Sequence, residues 1–144
     1  METTDYCSYE LSKALKACGF DEPCLTFYDT NKELGRALDP DNFNYLGETY
    51  KREWFTDAIS APTLWQAQKW LRSKGIDIEP HMELVGAKRK YRLVLLPLGH
   101  EVSYGKLHPS YEEALEAGIE AALIIIKFDN KKTTGDTRNE NRFN

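Results

Sequence analysis

Three stretches of the chain place apolar residues at helical spacing, and four others alternate or run apolar over the length of a strand. The first, "SYELSKALKACGF", puts Leu11, Ala14, Leu15 and Cys18 on one stripe. Ser8 stands where a helix N-cap accepts a backbone N–H, and Gly19 stands where a left-handed residue closes the helix and turns Phe20 back onto the core. "SAPTLWQAQKWLRSKG" repeats the plan, with Thr63 and Gln66 as a capping box, Leu64, Ala67, Trp70 and Leu71 on one face, and Gly75 as the stop. Trp70 reads as packing, while Trp65 lies at the far edge of the stripe. "SYEEALEAGIEAALIIIKF" has Ser110 and Glu113 as a capping box and Tyr111, Leu115, Gly118, Ala122 and Ile125 in line. Glu112, Glu116 and Glu120 form its solvated face.

The predicted strands are "CLTFY" (24–28), "IDIEPHMEL" (76–84), "YRLVLLPL" (91–98) and "HEVSY" (100–104). Ile76, Ile78 and Met82 against Tyr91, Leu93 and Leu95 give a half-buried antiparallel hairpin turning at "VGAKRK". Pro80 and Pro97 interrupt the ladder, so at least one of these strands has an edge or a bulge there. The order helix, strand, loop, helix, three strands, helix predicts an α+β fold, an antiparallel sheet of three to four strands with helices packed on one face.

Residues 29–62 show no strong period and read as one long loop, rich enough in aromatics to argue against disorder. Its core is "FNYLGETYKREWF", with five aromatic residues and two bases. After Phe128 the sequence turns polar, so residues 1–128 read as a single domain and 129–144 as a flexible, dispensable tail. "AALIIIKF" spreads Leu123, Ile124, Ile125 and Ile126 around the whole helix, more than one core face absorbs, which predicts a homo-oligomer.

Composition narrows the class. The chain of 144 residues is 41% hydrophobic, 12% aromatic and 29% charged, the profile of an ordinary globular protein. It has no apolar run of bilayer length and no signal-peptide pattern near Met1, which predicts no membrane association and a cytoplasmic location. Cys7, Cys18 and Cys24 form no CxxC pair, and an odd count fits buried thiols in a reducing compartment. A net charge of −4 argues against general nucleic-acid binding.

Candidate chemistry is sparse. His81, His100 and His108 are scattered, with no HxxxH or HExxH pair to hold a metal, and neither GxSxG nor a phosphate-cradling glycine loop occurs. The expectation is a protein that is not an enzyme and uses neither metal nor cofactor.

"KALKACGFDEPC", "SAPTLWQAQKWLRSKG" and "SYEEALEAGIEAAL", in this order and spacing, resemble a family of small uncharacterised proteins encoded by Bacteroidales genomes, their phages and prophages. The resemblance spans most of residues 8–126 and implies a phage or mobile-element origin, with host cytoplasm as the setting. It carries over no catalytic or binding residue. From Thr63 to Ile126 the order α-β-β-β-α is also similar to a double-stranded RNA-binding domain, which meets phosphates with lysines at the start of its last helix. Here that position reads "SYEEALEAG", an acidic surface that repels a phosphate backbone.

The richest functional feature joins two segments. "AKRKYR" sets Lys88, Arg89, Lys90 and Arg92 around the hairpin turn, and "QKWLRSK" adds Lys69, Arg72 and Lys74 along the preceding helix. With Arg52, and with Tyr50, Trp54 and Trp65 as stacking platforms, these residues make a candidate site for a small anionic, nucleotide-like ligand. The reading that follows is a phage accessory protein that sequesters such a ligand in counter-defence. Its alternative is an interaction module that docks on a host or phage protein through the aromatic loop, since Tyr, Trp and Arg are enriched in such patches. A ligand site needs its Arg and Lys to converge in a concavity, whereas an interface patch can be convex.

Overall fold

The computed structural model describes residues 5–45 and 57–143, with residues 132–143 as backbone alone. It is α+β, with three helices and two antiparallel sheets among these residues.

Helix α1 (Tyr9–Ala17) begins where the Leu11 N–H donates to Ser8 Oγ at 3.2 Å. It ends as Gly19 takes φ 92° and the Phe20 N–H returns to the Leu15 carbonyl. Phe20 is thereby fully buried, its ring edge-on to Trp70 at 5.4 Å between centroids.

The first sheet has the order β2-β1-β3, from β1 (Cys24–Tyr28), β2 (Leu34–Asp41) and β3 (Ile59–Ser60). This corrects the reading of residues 29–62 as a featureless loop. "LGRALDPD" has no apolar alternation because β2 is an edge strand whose face is covered only at Leu34, Gly35 and Ala37. Asp29 makes the turn into it, its Oδ1 accepting from the N–H groups of Asn31 and Glu33.

Helix α2 (Leu64–Ser73) is capped by Thr63, which accepts from the Gln66 N–H at 3.1 Å. The reciprocal half of the expected capping box is absent. Gln66 instead reaches β1, donating to the Pro23 carbonyl at 2.9 Å and accepting from Cys24 Sγ at 3.6 Å.

The second sheet, β4 (Ile76–Val85), β5 (Lys88–Pro97) and β6 (Ser103–His108), has β5 in the centre. The hairpin register runs from Ile76 opposite Pro97 to Val85 opposite Lys88, so the turn falls on Gly86 and Ala87, within the predicted segment. Pro80 lies on edge strand β4, where its missing N–H breaks no ladder bond. β6 starts later than expected because Gly99, at φ 82°, and His100 form the turn, and it carries a bulge opposite Leu93.

Helix α3 (Tyr111–Phe143) crosses the inner face of this sheet at Gly118. A Cβ there would stand 2.4 Å from Ile78 Cγ2 and 2.7 Å from Leu93 Cδ1, so only glycine lets helix and sheet approach this closely. The polar segment after Phe128 carries helical backbone. One core joins Leu11 and Leu15 of α1, Trp70 and Leu71 of α2, Ile76, Ile78, Leu93 and Leu95 of the second sheet, and Leu115, Ile119 and Leu123 of α3. Ile125 and Ile126 pack partly against it, which leaves Ile124 and Phe128 as the exposed part of the apolar helix end.

Candidate functional site

The strand alternation decides where the candidate cations point. Along β5 the inner face carries Arg89, Tyr91, Leu93 and Leu95, and the outer face Lys88, Lys90, Arg92, Val94 and Leu96. The helices cover the inner face at Ile76, Ile78, Leu93 and Leu95, and β6 pairs with β5 only between Tyr91 and Leu95. Beyond these covers the β4–β5 hairpin continues as a two-stranded ribbon. Met82 and Leu84 lie on its inner face by register with Tyr91 and Arg89, yet are 51% and 68% exposed.

The outer face is not a positive patch. Glu83 stands opposite Lys90, and its Oε2 accepts from Arg92 Nε at 2.8 Å; Arg92 Nη1 donates further to the Gly105 carbonyl at 3.0 Å. Arg72 Nε meets Asp77 Oδ1 at 3.0 Å. Exposed pairs of this kind add little stability, but each places a carboxylate where a phosphate would have to sit. Lys88 and Arg89, at the tip, have no carboxylate partner among the described residues.

Trp65, Lys69 and Arg72 share the solvent side of α2, opposite Leu64, Ala67 and Leu71. Of this stripe Arg72 reaches the sheet at Asp77, near the end of β4 remote from the hairpin tip, so the predicted union with Lys88, Arg89 and Lys90 does not form. Tyr50, Arg52 and Trp54 lie outside the described residues. Of the other rings in the aromatic segment, Phe43 is a core residue, stacked on Phe27 at 4.6 Å, and Tyr45 is part-exposed.

A second feature lies where sequence reading placed nothing. A groove of about 220 Å³ opens between the end of α2, the β5–β6 turn and α3. Trp70, Ile76, Pro97, Leu98, Ile125 and Ile126 make it apolar, and Lys74, His100 and Asp129 bring polar groups from three elements to it. Lys74 Nζ lies 5.4 Å from the centre of the Trp70 ring, and His100 Nε2 meets Asp129 Oδ2 at 3.1 Å. Only Lys74 had a sequence signal, as a member of "QKWLRSK". The sequence pattern puts His100 on a strand and Asp129 in a tail, and no local spacing connects them.

The thiols are free. Burial holds the Cys7 thiol far above its ordinary range and pushes Cys24 up to about 12. Cys18, in the wall of the groove, is half-buried and raised for the same reason. Burial likewise raises Tyr28, whose hydroxyl donates to the Cys7 carbonyl at 2.7 Å. Among the described residues no group of three or more His, Cys, Asp or Glu side chains is placed to hold a metal ion, and no helix is long and apolar enough to cross a membrane. Comparison with protein-family models, curated proteins and solved structures finds no match.

Proposed function

We propose that the chain is a binding protein that docks on a protein partner through the far end of the β4–β5 ribbon. The observation that carries this reading is the exposure of Met82 and Leu84, on the face that is core a few residues earlier. Apolar surface left in water costs about 25 cal/mol per Å², and a ribbon that outruns its own helices has an apolar face with no full cover among the described residues. Arg89 stands on that face beside Leu84 and Lys88 follows at the tip from the outer side, so the complementary partner segment is apolar with acidic neighbours.

The contact is made by the face of the ribbon, not its edge. Along β4 the Ile78 carbonyl already accepts from Gln68 Nε2 at 2.8 Å, and Pro80 has no N–H to offer an added strand. Antiparallel self-pairing about His81 would set Glu79 against Glu83 of the second copy, which like-charge repulsion opposes. The anion-sequestering reading needs its cations to converge in a concavity. The described ones are divided between α2 and a projecting ribbon, and Arg72 and Arg92 already pair with carboxylates. With the resemblance to Bacteroidales phage proteins, a host or phage protein is the partner expected, and counter-defence the setting.

The test is affinity capture from the host with the parent chain beside Met82→Asp, Leu84→Asp and Lys88→Glu/Arg89→Glu, followed by reconstitution with the purified partner. A specific complex weakened at least tenfold by each ribbon change supports the reading, since each removes about 1.4 kcal/mol or more of interface energy. A partner that binds all variants equally refutes it.

A further inference from the structure

The groove beside Lys74 has chemistry of its own, independent of the ribbon. We propose that it binds a small monoanion with an apolar body, of the arylalkanoate or branched-chain carboxylate class. Its apolar part, from Trp70, Ile76, Leu98 and Ile126, suits a ring or a branched chain, and about 220 Å³ limits the guest to a small one.

Lys74 sets the charge. It caps the end of α2, has no carboxylate partner among the described residues, and is held beside the Trp70 ring. A carboxylate entering over the apolar part meets this ammonium at the rim and completes a pair the fold leaves open. His100, also in the lining, is oriented by Asp129, and with Nε2 as the donor in that contact, Nδ1 is the nitrogen left to accept from a hydroxyl or amide of the guest. Asp129 also sets a limit: a fixed carboxylate in the lining disfavours a polyphosphate more than a single negative charge, while Lys127, close enough to act on Cys18, adds to the attraction for an anion.

The site is built before any guest arrives. The Leu98 N–H donates to the Gly75 carbonyl at 2.7 Å, pinning the β5–β6 turn to the end of α2. Gly75, at φ 90°, brings the chain so close that a Cβ would lie 3.3 Å from Leu98 Cβ. Pre-formed walls spare a ligand the cost of ordering them.

The full-length chain, ¹⁵N-labelled, is titrated with indole-3-acetate, with its uncharged amide and with AMP, in the parent and in Lys74→Met and Lys74→Gln. Cys18 supplies a second readout, because Cys7 and Cys24 are buried and iodoacetamide reaches the groove thiol first. The carboxylate should shift the amides of Lys74, Gly75, Leu98 and His100 saturably and slow alkylation of Cys18. The amide, and either Lys74 variant, should bind about tenfold or more weakly, the loss expected for one charged hydrogen bond. No saturable shift at millimolar indole-3-acetate overturns the site. Equal binding of acid and amide overturns the assignment of charge, and tighter binding of AMP overturns the limit to a monoanion.

Discussion

Asn44 and Ser60 clasp each other in the interior, sixteen residues apart in the chain. The Ser60 N–H donates to Asn44 Oδ1 at 2.9 Å, and the Phe43 N–H donates to Ser60 Oγ at 3.0 Å. Asn44 Nδ2 continues to the Phe20 carbonyl at 2.7 Å, which ties the clasp to the end of α1. Asn44 and Ser60 are both buried, so these bonds form without water to replace them.

Asn44→Ala should therefore cost about 1–3 kcal/mol for each buried group it strands, here the Ser60 N–H and the Phe20 carbonyl. Urea denaturation beside the parent measures it. A loss below about 0.5 kcal/mol would mean that the clasp is open in solution.

Gly118→Ala should destabilise the fold by about 1–3 kcal/mol or more, although alanine is the better helix former by about 1 kcal/mol. The added Cβ falls 2.4 Å from Ile78 Cγ2, and α3 must lift off the sheet. Thermal unfolding gives the sign directly. A stabilised variant would show that helix and sheet lie further apart.

The two tryptophans of α2 should separate cleanly. Trp70→Ala empties a site that is 3% exposed and should cost about 3–5 kcal/mol, while Trp65→Ala, at 42% exposed, should stay within about 1 kcal/mol of the parent. Comparable losses would contradict the orientation of the helix.

The thiols make stability fall on the alkaline side. Cys24 ionises near 9.0 when unfolded and only near 12 when folded, and Cys7 is held higher still. Between these values the unfolded chain releases a proton that the native chain keeps, so the stabilisation present below pH 9.0 is lost as pH rises towards 12. Each thiol should contribute a slope of roughly 1 kcal/mol per pH unit in that window. Denaturation midpoints between pH 8 and 11 should drop less steeply in Cys24→Ala than in the parent, and parallel slopes would contradict the burial of Cys24.

How much of this the chain announces depends on whether the signal is local. Ser8, Gly19, Thr63, Gly75 and Ser110 mark helix ends that capping chemistry defines within a few residues, and all three helices start and pack as their stripes require. The hairpin from Ile76 was legible because both strands alternate. β2 was not, since an edge strand with little to bury keeps no pattern, and the two-residue β3 offers none to read. The site was hardest. "AKRKYR" looks cationic in one dimension, but the carboxylates that match it come from β4 across the sheet and become visible only once Glu83 stands opposite Lys90. The groove at Lys74 joins residues as distant as Cys18 and Asp129, a relation that no spacing along the chain records.

Docking through the ribbon, the proposed function, is tested most directly by photo-crosslinking in cells that express the chain from a benzophenone amino acid placed at Leu84, with Leu38, 99% exposed on the other sheet, as the control position. A discrete adduct is expected from position 84 that is absent from position 38 and disappears when Lys88→Glu/Arg89→Glu is added. No adduct at 84, or the same adducts from both positions, would contradict it.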